Sequence, residues 1–221
     1  MKIVEAKVIP VTPLNGDAIL KRIEEIARTC YKSEDKITQD GESAKKIVRA
    51  LSQAGHGAML EHASITMRYI SNIAAYKDLT RHRPASYAIE STRWCNYTKG
   101  KFGKEIKFLD PIEIPHDSIK YQVWLNGMEQ AEKHYMNMAD IGATADELSL
   151  LLPQSTAAEF CITANLREWN HIFSLRAVGH CRPCIKQIMQ PTLELFHKEI
   201  PIVFDHMYEE MMKEKAKEKQ R

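Results

Sequence analysis

No run of apolar residues in this 221-residue sequence approaches the length needed to cross a bilayer. No sign of charge dominates either. Lys and Arg total 31 against 29 acids, a net charge of +2, which argues against a general binder of nucleic acid or membrane surfaces. Cysteine is scarce and odd in number, at five, so a disulfide framework is not expected and a reduced, cytoplasmic protein fits best. The first residues, Met1-Lys2-Ile3-Val4-Glu5, include an acid and no long apolar stretch, unlike a signal peptide. There is no internal repeat, no flexible linker, and no Gly-x-Gly-x-x-Gly fingerprint of a stable dinucleotide domain. What remains is ordinary for a globular chain: 44% hydrophobic and 27% charged residues, on a length that suits one domain with a substantial core.

Hydrophobic periodicity places the elements. Residues 1–12 alternate around Val4, Val8, Ile9 and Val11 and read as a strand. Asp17 can cap a helix to about Tyr31, with Ile19, Leu20, Ile23, Ile26 and Ala27 on one face. A second helix fits Glu42 to Ala54 and stops at Gly55; residues 63–70 alternate as a strand. Asn72 opens a short helix that Pro84 ends. Residues 97–116, with Gly100, Gly103, Pro111 and Pro115, read as a loop or ribbon. A long helix covers about 117–140, residues 154–165 are partly extended, and helices follow at about 166–178, 183–199 and 205–217. The expected class is α+β: a helix-rich single domain over residues 1–221 with a small, mostly antiparallel sheet. The charged tail, about 213–221, reads as a solvated helix end that frays.

The chemistry concentrates at Arg81-His82-Arg83, expected at a helix C-terminus, where the dipole favours cations. Successive helical side chains fan out by about 100°, so the three can reach different groups. Ser86, Ser91, Thr92 and Arg93 add donors downstream. Guanidiniums, an imidazole and several hydroxyls in so short a stretch suit a phosphate-bearing ligand with a polar ring. A basic helix end beside a serine-rich loop accounts for the same charges without a ligand.

The spacing Arg81-His82-Arg83, seven residues, Ser91, closing on Ser91-Thr92-Arg93-Trp94, resembles the signature of flavin-dependent thymidylate synthases. Two further segments resemble that family in the same order: Gly55-His56-Gly57 through Glu61-His62, and Leu152-Pro153 followed by Asn165-Leu166-Arg167, His171 and Leu175-Arg176. The resemblance spans about residues 15 to 205. It implies an FAD-dependent methyltransferase that converts dUMP to dTMP at carbon 5. Methylenetetrahydrofolate would be the carbon donor, reduced FAD the hydride donor and NADPH the reductant, in a homotetramer with shared active sites. It also implies roles: Arg176 catalytic, beside the uracil ring; Arg81, Glu90, Ser91, Thr92, Arg93 and Arg176 on the substrate; His56, Arg81, His82, Arg83, Asn165, Arg167 and His171 on the flavin. No metal, membrane or nucleic-acid partner is expected. Ser91 also admits a nucleophile reading, but no His-Asp relay accompanies it locally. His56 admits a structural role beside Gly55. Glu61 and His62 lack further ligands at metal spacing.

Several positions depart from the family pattern. Ala88-Ile89 stands where Asn-Glu is common, with Glu90 next as a substitute carboxylate. Ser149 stands where many members carry an Arg. Arg182 is a candidate for restoring that charge. The segment after Arg176 reads Cys181-Arg182-Pro183-Cys184, for which a plain structural role, a redox dithiol and, with His180, a zinc site are all conceivable. The departures keep methylation or hydroxymethylation of UMP or dCMP open, and the basic segment by itself also admits a non-catalytic nucleotide or nucleic-acid binding module.

Overall fold

The computed structural model describes residues 1–100 and 103–218. It is α+β. Antiparallel strands β2 (Lys7–Pro10), β3 (Ser64–Asn72), β4 (Ala85–Ile89) and β6 (Ala157–Asn165) form one sheet in the order β2-β3-β6-β4. β1 (Lys2–Val4) and β5 (Lys107–Leu109) pair in parallel beside it. The helices are α1 (Gly16–Thr29), α2 (Glu42–Gln53), α3 (Ile73–Leu79), α4 (Ile119–Asp140), α5 (Ala145–Ser149), α6 (Leu166–Phe173), α7 (Pro183–Glu199) and α8 (Pro201–Glu218).

Alternation decides which face of the sheet is buried. Ile65, Met67 and Tyr69 of β3, with Phe160 and Ile162 of β6, point to the helices and are fully or almost fully buried. There they meet Trp169, Phe173, Phe196 and Phe204, whose rings pack at centroid distances of 5.2–5.7 Å. The other face carries Thr66, Arg68, Glu159, Cys161 and Thr163. A second, smaller core of Tyr97, Ile106, Phe108, Tyr135 and Leu148 lies under α4 and α5.

The differences from the sequence expectations have identifiable causes. Residues 1–12 split between two sheets, because Val4 pairs with Leu109 while Lys7 pairs with Ile70. Asn15, not Asp17, caps α1: its Oδ1 accepts from Ala18 N at 3.0 Å. The helix after Asn72 stops at Leu79, short of the Arg-His-Arg triplet, because the chain turns there to enter β4. β4 itself, and β5 within the expected loop, are strands too short to show a clear alternation. The helix expected to start near 205 starts at Pro201. The charged tail is an ordered helix as far as Glu218, tied by Lys215–Glu194 at 2.8 Å and Lys186–Glu218 at 2.6 Å. Residues 219–221 lie outside the described residues. None of the described helices is long and apolar enough to cross a membrane.

Candidate functional site

The turn carrying the triplet is held from below. The Tyr87 hydroxyl sits 2.7 Å from the Leu79 carbonyl oxygen and 2.8 Å from that of His82. This anchor turns His82 inward, 4% exposed, and leaves Arg81 and Arg83 in solvent. Among the described residues neither arginine has an ion-pair partner.

Arg176 reaches the same place from the other half of the chain. After α6 the helix widens into a π-turn over Ser174–Val178. Gly179 closes it, where a Cβ would stand 3.0 Å from the carbonyl oxygens of Ser174 and Leu175. Arg176 Nε donates to His82 Nε2 at 3.0 Å, and its Nη2 donates to the Asp78 carbonyl oxygen at 3.2 Å. His171, one turn earlier, lays its exposed ring edge-on to His82 with centroids 5.5 Å apart. Burial, then the nearby charges of Arg176 and His171, lower the His82 pKa from 6.5 to about 4, so the ring is neutral at pH 7. The buried Glu168 carboxyl also faces His82, with Oε1 3.4 Å from Nδ1, and burial raises its pKa.

His82, Glu168 and His171 bring three donor atoms within 4.8 Å of one another, which is metal-ligand spacing. The Arg176 contact opposes that use. A metal on Nδ1 of a neutral imidazole leaves the ring proton on Nε2, facing the Arg176 N–H at 3.0 Å, donor against donor. The cluster is therefore packed around His82, whose side-chain hydrogen bond among the described residues is the one from Arg176.

A second group gathers at the start of α6. Arg167 pairs with Glu61, and a Cβ on Gly57 would meet the Arg167 side chain at 3.2 Å. His56 is exposed beside them. Asn165, expected on the flavin, caps α6: its Oδ1 accepts from Glu168 N at 2.8 Å. A cleft of about 640 Å³ opens here, lined by Arg49, Gly57, Arg167, Asn170 and His206.

A third group follows β4. Ile89 packs against the core, and the chain does not shift to put Glu90 in its place. Glu90 instead continues the ladder: its N–H donates to the Glu159 carbonyl oxygen at 2.9 Å. Its carboxylate accepts from Tyr97 Oη at 2.9 Å and from Glu159 N at 3.1 Å. Each Glu90 carboxylate oxygen thus already accepts one hydrogen bond from the protein. Ser91 is exposed and Thr92 half-buried, while Arg93 reaches Asp146 of α5. Ser149 Oγ donates to the Asp146 carbonyl oxygen. A cleft of about 560 Å³ is lined by Ala88, Glu90, Tyr97, Lys107, Glu159 and Cys161.

The structure thus brings His82, Arg176 and His171 together and keeps Ser91 and Arg93 apart from them. β4 pairs antiparallel with β6 from Ala85 through Glu90, five residue steps or about 17 Å of extended chain. His82 precedes that span and Ser91 follows it. Sequence reasoning missed Glu168 and Tyr97. Glu168 stands three residues after Asn165 and three before His171, an acid on the His171 side of a helix, which was the available signal.

The Cys-x-x-Cys segment lacks the lowered thiol pKa of a redox dithiol, and among the described residues it joins no group of three donors at metal-ligand spacing. All five cysteines are free thiols, and burial raises the pKa of both Cys181 and Cys184, opposite to what an attacking dithiol needs. Cys181 Sγ donates to the Arg176 carbonyl oxygen at 3.2 Å and braces the π-turn. Arg182 pairs with Asp78 at 3.2 Å, so its charge is already matched.

The donor set suits a flavin dinucleotide. Arg81, Arg83, His171 and Arg167 are exposed cations or donors on the rim of these groups, which is the chemistry a pyrophosphate requires. Comparison with known proteins agrees with this chemistry. The family model described as thymidylate synthase complementing protein matches residues 16–202. A flavin-dependent thymidylate synthase of Geobacter sulfurreducens is 27% identical over 186 residues, 80% of this chain and 77% of that protein. One from Pyrococcus abyssi is 30% identical over 142 residues, 63% and 57%. A solved structure of the UMP/dUMP methylase PolB from Streptomyces cacaoi, bound with 5-Br dUMP, superposes with a TM-score of 0.72 at 23% identity. It covers 93% of this chain and 96% of that one, a likeness of fold.

Proposed function

The chain belongs to the thymidylate synthase complementing protein family, and on that footing we propose that it methylates dUMP at carbon 5 to give dTMP. Methylenetetrahydrofolate is the carbon donor and NADPH the reductant. The observation that carries this reading is the Arg176–His82 contact, a guanidinium oriented by a buried, neutral histidine and still partly open to solvent.

Carbon 5 of uracil is a weak nucleophile until the ring nitrogen between the two carbonyls loses its proton. A guanidinium beside that edge stabilises the anion without giving up a proton of its own. Nε and one Nη2 hydrogen of Arg176 are engaged by His82 and Asp78, which leaves three N–H groups for a ligand. No protein nucleophile is required. Bound FAD, once reduced, supplies the hydride. Arg81, Arg83, His171, Arg167 and His56 are proposed to hold the flavin, and Ser91, Thr92 and Arg93 the nucleotide. The separation of Ser91 and Arg93 from Arg176 along β4 supports active sites shared between copies in a homotetramer. Free thiols fit a cytoplasmic location.

A second reading, methylation of UMP, is favoured by the related fold of a methylase that was solved with 5-Br UMP as well as 5-Br dUMP. Supplying dUMP, UMP and dCMP in parallel, with methylenetetrahydrofolate, NADPH and FAD, separates the readings by product mass. The dUMP reading predicts dTMP as the dominant product. Turnover of UMP alone would overturn it.

A further inference from the structure

We propose that Glu168 is a positioning residue: it holds His82 in the Nδ1–H tautomer, and His82 in turn orients the Arg176 guanidinium. The inference rests on the role proposed above for Arg176, but its geometry does not.

What each group can donate fixes the tautomer. Arg176 carries only donors, so the His82 Nε2 that it contacts at 3.0 Å must present a lone pair. The low His82 pKa keeps the ring neutral, with a single proton. That proton must then sit on Nδ1. Neither His82 Nδ1 nor Glu168 Oε1 has a hydrogen-bond partner among the described residues, and the two buried atoms face each other at 3.4 Å, close enough to pair with a small adjustment. The His82 side chain is 3% exposed and that of Glu168 9%, so water does not readily replace either partner. Glu168 is itself fixed by Asn165, whose side chain caps its N–H at 2.8 Å. The chain of contacts runs from the α6 cap through Glu168 and His82 to Arg176, and it joins the two halves of the sequence at one imidazole.

Removing the carboxylate leaves a buried Nδ1–H without an acceptor. The Nε2–H tautomer then becomes competitive, because it buries no unsatisfied Nδ1–H and the partly exposed guanidinium can turn its N–H groups to water. Glu168→Gln keeps an acceptor oxygen, whereas Glu168→Met keeps only the volume. The test reads the tautomer directly by nitrogen-15 histidine NMR on the folded protein without substrate, with the His82 signal assigned by its loss in His82→Gln. The expected result is the Nδ1–H tautomer in wild type and Glu168→Gln, and Nε2–H or a mixture in Glu168→Met. Turnover should fall about ten- to hundredfold in Glu168→Met, the size of one lost hydrogen bond to a charged group, with a smaller loss in Glu168→Gln. An Nε2–H tautomer in wild type overturns the proposal, and so does an unchanged Nδ1–H tautomer in Glu168→Met. Should Glu168→Met fail to fold, the Nδ1 proton shift decides: it should move upfield from wild type to Glu168→Gln when a carboxylate acceptor becomes a neutral amide, and identical shifts overturn the proposal. The tautomer needs no substrate, so a wrong substrate assignment leaves this result standing. Normal dTMP formation with the wrong tautomer sinks this inference alone.

Discussion

Two inactive variants should restore activity to each other if the active site is shared between copies. Arg176→Ala removes the guanidinium on His82, and Arg93→Ala removes a donor beyond the far end of β4. The paired residues from Ala85 to Glu90 hold these regions apart by about 17 Å of extended strand in one chain. A nucleotide touching Arg176 in one copy would therefore take Arg93 from a neighbour. In a mixed pair one site then carries both substitutions and the other carries neither. Random pairing makes half the pairs mixed, and half of their sites intact, so an equimolar mixture should recover about one quarter of wild-type activity. The assay is dTMP formation after co-expression with two tags and isolation of the doubly tagged species, which would hold about two-sevenths of its sites intact in a randomly assembled tetramer and about half in a dimer. Activity no greater than that of the parents would refute shared sites and require one chain to supply both residues.

Other outcomes follow from single contacts. Asn165→Ala should destabilise the protein by about 1 kcal/mol through loss of the α6 cap, about 2–4 °C in Tm at this size, while Asn165→Asp keeps the cap. Unchanged melting of the alanine variant would return Asn165 to a purely ligand-binding role. Gly16→Ala should cost about 1–3 kcal/mol, because a Cβ there would overlap the Glu199 carbonyl oxygen of α7; helix propensity alone predicts the opposite sign, and thermal melts decide. His82 has a folded pKa of about 4 against 6.5 when unfolded, so the unfolded chain binds the extra proton first. Its contribution to stability is complete above about pH 6.5 and is lost as pH falls toward 4. Glu168, whose pKa is raised, favours the folded state as it takes up its proton and offsets part of that loss at the acid end. Melts across this window should fall more steeply for wild type than for His82→Gln, and equal slopes would contradict a buried neutral histidine.

Much of the architecture was legible because it depends on local rules. Alternation located β3 and most of β6, and a 3.6-residue period located α1, α2, α4 and α7 to within a few residues. What escaped depends on partners distant in sequence. β4 is recognisable only beside β6, since Tyr87 and Ile89 find their buried neighbours there. The triplet looked like a helix end, but the Tyr87 hydroxyl and the start of β4 place it in a turn. His82 and Arg176 were both singled out, yet their contact across 94 residues could not be read from spacing. The Glu90 carboxylate takes hydrogen bonds from Tyr97 and from the Glu159 N–H, the second a partner 69 residues away that spacing does not reveal. Glu168 showed in the sequence only as an acid three residues before His171, because its partner His82 is set by tertiary structure rather than by a motif.

The most direct test of the central claim is a single turnover in the absence of oxygen. The protein is loaded with FAD, reduced, freed of excess reductant, and mixed with methylenetetrahydrofolate and dUMP while the visible flavin absorbance and the nucleotide are followed together. Oxidised flavin should return in step with about one dTMP per flavin, and Arg176→Ala should bind FAD but form no dTMP. A protein that stays colourless with added FAD, or flavin that reoxidises without a methylated nucleotide, would contradict that claim.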